Sequence, residues 1–425
     1  MDVTVTPGRG ARRAPAYALL GGTAIPQVGN QLAALAIPWF VLQTSGSATR
    51  TGLVAAFTIL PTALASFFGG AVVDRIGSRW LSIVADQLSG VIVAMIPLLH
   101  HTIGLGFVPL LALVFLGALF DSPGNTARMA LLPEVAKPAR MRLEQANAFS
   151  QTIQGLSSLL GPPLAGFLIV AMGTSTVLWL EATSFAVSAL LVALAVPAPS
   201  AKTVPVGSYF DDVREGWRFL WADRLLRAIA LTSTVINFLL APLFAVVLPV
   251  YVDRVFGSAR GLGLMLAGFG LGALVGSTVY GAVGHRLPRR RAIIGSLVLL
   301  GLPMWVLATL PGLAVAVTAL GVAGLVGGGV NPLAMTVIQE RVPVELRGRV
   351  IGTVMALALA ATPLGMLLSG SLISTMGLAG VLLVIAAAYL ATTASLFLNP
   401  ALHELDSVKV TPMDDPTESE KAHDP

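Results

Sequence analysis

Of the 425 residues, 55% are hydrophobic and only 11% charged, against roughly a quarter charged in a soluble domain, so a soluble globular body is excluded. There is no cysteine, which removes disulfides, iron–sulfur clusters and thiolate zinc sites. The five histidines (His100, His101, His285, His403 and His423) show no helical pairing for metal or haem. A net charge of +5 then reads as basic cytoplasmic loops rather than as a nucleic-acid surface.

A helix needs about 20 apolar residues to cross a bilayer. Twelve such segments follow one another, at roughly 16–43, 51–73, 80–100, 104–127, 145–171, 174–196, 226–251, 261–283, 291–310, 312–336, 350–376 and 378–398. The first is too long for a signal-peptide core and lacks a small-residue cleavage site, so it reads as a retained span. Arg12-Arg13 before it read as a basic cytoplasmic tail. With the N-terminus inside, the outer loops hold only Arg50, Arg254 and Arg260, and the other 23 of the 26 Lys and Arg fall on the inner side. That asymmetry places both termini in the cytoplasm. The expected fold is an all-α membrane protein of twelve transmembrane helices.

The longest connection, about 197–225, contains "SYFDDVREGWRFLWADRLLR". Phe210, Val213, Trp217, Leu220 and Trp221 recur at helical spacing, with Asp211, Asp212, Arg214, Glu215 and Arg218 on other faces. This pattern predicts a short amphipathic helix on the inner membrane surface, linking two bundles. The expected division is 1–196 and 226–400 as six-helix halves, 197–225 as linker and 401–425 as a disordered cytoplasmic tail.

Internal repeats support that division. "GAVVDRIGSRW" from Gly70 is echoed by "GAVGHRLPRRR" from Gly281, 211 residues on, each after the second span of its half. "NTARMALLPEV" from Asn125 is echoed by "NPLAMTVIQER" from Asn331, 206 residues on. Similar offsets imply two six-span units in parallel orientation, with a substrate path between them near the midplane. The copies differ: the second has His285 and Pro288 in place of Asp74 and Gly77, so the two inner loops are functionally unequal.

Gly70, Asp74, Arg75, Gly77 and Arg79 match the signature of the major facilitator superfamily between its second and third spans. "GPPLAG", from Gly161 to Gly166, resembles the antiporter signature of the fifth span, with Ala165 where glycine is usual. "LPEVAKPARMRLEQANAF" and "ERVPVELRGRVIGTVMALALAATPLG" resemble the drug- and siderophore-export branch, which includes macrolide and tetracycline efflux proteins and the enterobactin exporter. The resemblance covers essentially the whole chain. It implies two parallel six-helix halves that alternate access to a central site.

Within that frame the resemblance implies that Asp74 caps the eleventh span near Val350, and that Arg75 and Arg79 pair with Asp121 near the inner end of the fourth. Gly70 and Gly77 permit close packing and an unusual turn. These six residues (Gly70, Asp74, Arg75, Gly77, Arg79, Asp121) are the expected gate. Glu181 is the one acid well inside an apolar segment. An intramembrane acid is a functional candidate by default, so it is the proton-coupling candidate. The alternative is a protonated structural carboxyl bonded to a neighbouring helix, because sixth spans of the superfamily are usually peripheral.

Gln27, Asn30 and Gln31, Gln151 and Gln154, and Ser233 and Asn237 lie on spans that line the cleft in this superfamily. Uncharged amides among Phe and Met suit large, mostly apolar molecules, and each can also serve as interhelical glue. Gly161, Pro162 and Gly166 allow the fifth span to bend and pack closely, and Gly268, Gly272 and Gly276 form a small-residue ridge on the eighth.

No Walker lysine follows the glycine runs, so transport is expected to run on a proton gradient with no cofactor or metal. The expected protein is a monomeric exporter of small amphipathic drugs or natural products in the bacterial cytoplasmic membrane, and not an enzyme. The alternatives are a dedicated siderophore or metabolite exporter, or an importer. A polytopic enzyme would need a His/Asp/Glu cluster at the membrane interface, and a sensor an added domain, and neither is present in the sequence.

Overall fold

The structure is a computed structural model that describes residues 13–197, 209–286, 288–343 and 346–406, without the side chains of 63–75, 144, 209–213 and 285. The described residues are helical, with no strand among them. The first set comprises α1 (Ala14–Ser45), α2 (Ala48–Ile76), α3 (Ser78–Thr102), α4 (Phe107–Ala136), α5 (Leu143–Met172) and α6 (Thr174–Ala195). A short α7 (Tyr209–Ala222) leads to the second set. This is α8 (Arg224–Pro242), α9 (Leu248–Phe256), α10 (Ala259–Val283), α11 (Arg289–Ala308), α12 (Leu313–Gly327), α13 (Val330–Arg341) and α14 (Arg347–Leu398). Ten helical stretches are long and apolar enough to cross a membrane.

Backbone chemistry explains how these stretches begin and end. The first turn of α8 is capped by Asp223, which accepts from the backbone N–H groups of Leu225 and Leu226 at 2.9 and 3.0 Å, the usual way of satisfying orphan donors. Between α8 and α9, Pro242 is followed by a π-helical turn, Leu243–Val247, so one crossing is built from three pieces. α14 runs for 52 residues, which at 1.5 Å per residue is about 78 Å, far beyond the ~30 Å hydrocarbon core. It is interrupted by a kink at Gly377, whose φ of 76° is left-handed. Only glycine adopts that conformation cheaply.

The two sets pack internally through different chemistry. In the second, α10 and α12 approach backbone to backbone. A Cβ on Gly272 or Gly276 would collide with the carbonyls of Gly321 and Leu325, and one on Gly324 with that of Phe269. The expected ridge on the eighth span is thus one side of a glycine seam, of the kind that lets membrane helices gain dispersion energy at short range. Matching arginines tie each set at its end. Arg79, opening α3, donates to the carbonyls of Ala193 and Val196 at the end of α6, both at 2.6 Å. Arg290, 211 residues later and opening α11, donates to the carbonyl of Phe397 at the end of α14, at 3.3 Å. Cations suit the partial negative charge of helix C-termini.

The sets meet each other at the end of the bundle where α1 stops and α2 starts. There Thr49 Oγ1 donates to the Gly370 carbonyl at 3.3 Å, and a Cβ on Gly52 would lie 2.5 Å from the Met366 carbonyl oxygen. α5 meets α10 in the same way, with a Cβ on Gly166 only 2.8 Å from Gly263 Cα. Towards the opposite end, a Cβ on Gly155, Gly281, Gly348 or Gly352 would meet open space.

The linker helix α7 packs on the start of α14. Gly216 lies against the Arg349 backbone, and Glu215 pairs with Arg349. Trp217 and Trp221 stack at 4.6 Å on its exposed side. The tail expected to be disordered from residue 401 instead begins as a 3-10 helix, Pro400–Asp406. It is held by burial of Leu402 and Leu405 and by the Glu404–Arg341 pair. Those two leucines supply apolar area that a wholly polar tail lacks. Residues 407–425 lie outside the described residues.

Candidate functional site

Polar side chains converge in the interior of the first set. Asn30, near the middle of α1, donates through Nδ2 to Asp121 Oδ2 at 3.0 Å. Asp121 is the fifteenth of the 30 residues of α4, because the helix continues nine residues past the end of its apolar run. It is therefore a mid-helix residue and not one near a span end. Seven residues, or two turns, further along the same face is Arg128, 3% exposed. Its guanidinium pairs with Asp86 of α3, and its Nη2 is 4.0 Å from Asp121 Oδ1. Asp86 is fully buried, and its Oδ2 is 2.6 Å from Ser188 Oγ of α6. That hydroxyl oxygen is also 2.6 Å from the Gly22 carbonyl oxygen of α1.

Glu181 of α6, 3% exposed, faces the same region, within electrostatic reach of Asp121. Glu181 Oε2, Asp121 Oδ1 and Arg128 Nε have no hydrogen-bond partner among the described residues. Two carboxyl groups thus share one guanidinium, and a third, Glu181, lies within reach of Asp121. An ionised group taken out of water without a partner costs several kcal/mol, and the cluster holds more carboxyl groups than guanidinium groups.

The cluster opens onto a cavity of about 290 Å³. Asn30, Asp121 and Glu181 supply its polar wall, with Thr58 and Thr62 of α2; Ile37, Ile59, Ile96 and Phe185 are among its apolar lining. Ala245 from the π-helical turn and Met366 from α14 reach it from the second set. A mostly apolar cavity with a few convergent polar groups, at a junction between two packed units, is what a small-molecule site requires. A second hollow of about 370 Å³ lies between the ends of α1 and α3 and the start of α4, with Arg50 and His100 among its lining.

The other expected site residues are distributed more widely. Arg79 is engaged with the end of α6 and does not pair with Asp121, whose partners are Asn30 and Arg128. The guanidinium of Arg79 is instead satisfied by backbone carbonyls at a helix end, whose partial negative charge favours a cation. Gly77, with φ of 86°, makes the turn between α2 and α3. Gly70, Asp74 and Arg75 fall among residues whose side chains lie outside the described set, as does His285. Of the amides, only Asn30 lines the cavity. Gln31 joins α1 to α5 by donating to Ser158 Oγ at 3.0 Å, and Asn237 Nδ2 turns back to the Ser233 carbonyl of its own helix at 2.9 Å. Gln27 is half-buried, whereas Gln151 and Gln154 are exposed along α5. α5 runs unbroken through Pro162 and Pro163. Gly161 of that run accepts the Gln31 side chain, and Gly166 accepts α10. The sequence reading passed over Arg128 and, as a partner, Asp86. The i, i+7 spacing of Asp121 and Arg128 on one apolar helix was the available signal.

Two packed helical sets around a shared cavity, in a chain of many apolar crossings, define a membrane transporter rather than an enzyme. The chain belongs to the transmembrane secretion effector family of the major facilitator superfamily, which it matches over residues 16–424. It is similar to the multidrug efflux pump Tap of Mycobacterium tuberculosis (strain ATCC 25618 / H37Rv), 36% identical over 418 residues, or 97% of this chain and 99% of that protein. It is also similar to macrolide efflux protein A of Streptococcus pyogenes, 22% identical over 83% of this chain and 88% of that one. Among solved structures, the nucleoside transporter NupG shares the fold with a TM-score of 0.75 at 11% identity, covering 90% of this chain and 98% of its own. The resemblance read from the motifs is therefore borne out. The protein is a multi-pass component of the bacterial cytoplasmic membrane.

Proposed function

We propose that this protein is a secondary exporter that expels small amphipathic drugs or natural products in exchange for protons, acting as a monomer. The observation that carries the reading is the cavity itself, apolar on most sides, touched by both sets, and walled on one side by Asp121 and Glu181. An apolar cargo and a proton can compete there for one enclosed space, which is the elementary requirement of antiport. The names of the efflux relatives support the class of cargo. No nucleotide or metal is required, since the proton gradient supplies the drive.

The chain crosses the membrane twelve times in this reading, with both termini cytoplasmic. α2 supplies one crossing beyond the ten, and α14 supplies two, on either side of Gly377. The Lys/Arg asymmetry sets the orientation. The contacts at Gly52, Gly166 and Gly370 then lie at the outer face, and the open faces around Gly155, Gly281 and Gly352 at the inner one. This is the inward-open state of an alternating-access cycle.

The test is expression in a pump-deficient strain over a panel of antibiotics and dyes, with Glu181→Gln and Asp121→Asn beside the wild type. Raised resistance to some compounds, lost in both variants at equal membrane abundance, is the expected result. No change in susceptibility to any compound at good expression overturns the export reading. Efflux in vesicles that is indifferent to an imposed pH gradient overturns proton coupling.

A further inference from the structure

We propose that Asp86 and Asp121 are alternative seats for a single proton, and that Arg128 is a mobile counter-ion that pairs with whichever of the two is ionised. The inference rests on the proton-coupled reading above and adds to it a residue pair outside the cavity wall. Asp121 is the seat next to the cavity, its side chain 25% exposed, while Asp86 lies fully enclosed behind Arg128.

The geometry supplies both positions of the guanidinium. One is occupied, on Asp86. The other requires only that Nη2 close a gap of 4.0 Å to Asp121 Oδ1, an oxygen with no hydrogen-bond partner among the described residues. An unbonded Nε leaves the arginine less tightly held than a fully satisfied one. The described charged groups facing this pair from the packed elements are few. α3 brings Asp86, α4 brings Asp121 and Arg128, and α6 brings Glu181; α1 and α2 bring only the neutral Asn30, Thr58 and Thr62.

The hydrogen-bond chain behind Asp86 is also built to take a proton. Asp86 Oδ2, Ser188 Oγ and the Gly22 carbonyl oxygen are separated by two gaps of 2.6 Å each. The Ser188 hydroxyl brings one hydrogen, enough for one gap. A proton on Asp86 Oδ2 fills the other, with Asp86 donating to Ser188 and Ser188 donating to Gly22. The step balances within the cluster. The proton leaves Asp121 and arrives on Asp86, the guanidinium moves the opposite way, and the total charge is unchanged. Its consequence is mechanical, because the α3–α4 ion pair becomes an ion pair within α4. Neutral hydrogen bonds then connect α3 to α6 and α1. Arg128 is in this sense a positioning residue, acting through the two carboxyls.

The experiment uses the full chain in lipid nanodiscs and reads the infrared carbonyl band of protonated carboxyl groups, with no ligand added. Asp121→Asn and Glu181→Gln assign the bands of those two side chains. In Asp86→Asn the guanidinium has one carboxylate left to serve, so the Asp121 band is lost at a pH where the wild type shows it. In the double variant Asp86→Asn/Arg128→Gln, which leaves no buried cation unpaired, the band returns. Persistence of the Asp121 band in Asp86→Asn, or its continued absence in the double variant, overturns the proposal. Failure of proton-driven export is read separately in vesicles and leaves these spectra standing.

Discussion

The two halves of the chain are copies in outline and opposites in their interiors. At the repeat offsets of 211 and 206 residues, Asp86 corresponds to Leu297, Asp121 to Gly327 and Arg128 to Ala334. Gly90 packs on Phe185 as Gly301 packs on Tyr389, and the same offset of 204 carries Glu181 to Ile385. Every ionisable group of the buried cluster thus has an apolar counterpart. Among the described residues, the second half buries no charged side chain. It keeps its ion pairs at the polar end, where Arg341 bridges Asp223 and Glu404, and Arg289 pairs with Glu340. Its interior is closed by the glycine seam instead. One copy buries a carboxylate–guanidinium cluster where the other buries a glycine seam.

The sharpest way to break this contrast is to strip one charge from the first half. Arg128→Ala leaves Asp86 buried without its partner, and removing one member of a buried pair costs about 3–5 kcal/mol. Thermal melting in detergent should register a large drop. The double replacement Asp86→Leu/Arg128→Ala copies the second half at these two positions and should recover most of that stability. A double variant as unstable as the single one would show that the halves are not interchangeable in packing.

The converse test adds volume to the second half. Gly324→Val places side-chain atoms against the Phe269 carbonyl, and overpacking of this kind costs about 1–3 kcal/mol. The same melting assay reads it, with no expected change in the pH profile of the folded fraction. A smaller effect is expected of Glu181→Gln, which keeps the shape and loses the proton. Export driven by a pH gradient should fall by about tenfold, equivalent to roughly 1.4 kcal/mol, with stability unchanged. Smallest of all is Arg341→Gln. Its pairs are partly exposed and such bridges are worth about 0–1 kcal/mol, so a shift of a few degrees at most is expected.

How much of this was legible in the chain follows from what each feature depends on. The crossings depend on hydropathy, a local property, and could be drawn directly. Glu181 stood out because a lone acid in an apolar run is locally anomalous. The depth of Asp121 and the role of Arg128 did not, because the apolar run fades before α4 ends, and charges at a fading edge look like a membrane boundary. The partner of Arg79 was misassigned for another reason. Its acceptors are backbone carbonyls of Ala193 and Val196, and a carbonyl leaves no mark in a sequence. The amide group illustrates the same limit, since Asn30, Gln31 and Asn237 are the same chemistry with three different destinations. The repeat, by showing which positions the second copy left apolar, adds to the i, i+7 spacing as a sign of Asp86 and Arg128.

The paired stitches of Arg79 and Arg290 have a consequence for how the molecule is put together. Each binds the third crossing of its unit to the end of the unit's own last helix, so neither stitch draws on the other unit. One stretch of chain joins the two units, and covalent continuity keeps them at high local concentration. Severing the gene between codons 203 and 204 and producing the two pieces together should therefore yield a working pump, assembled in the bilayer from parts that were never one chain.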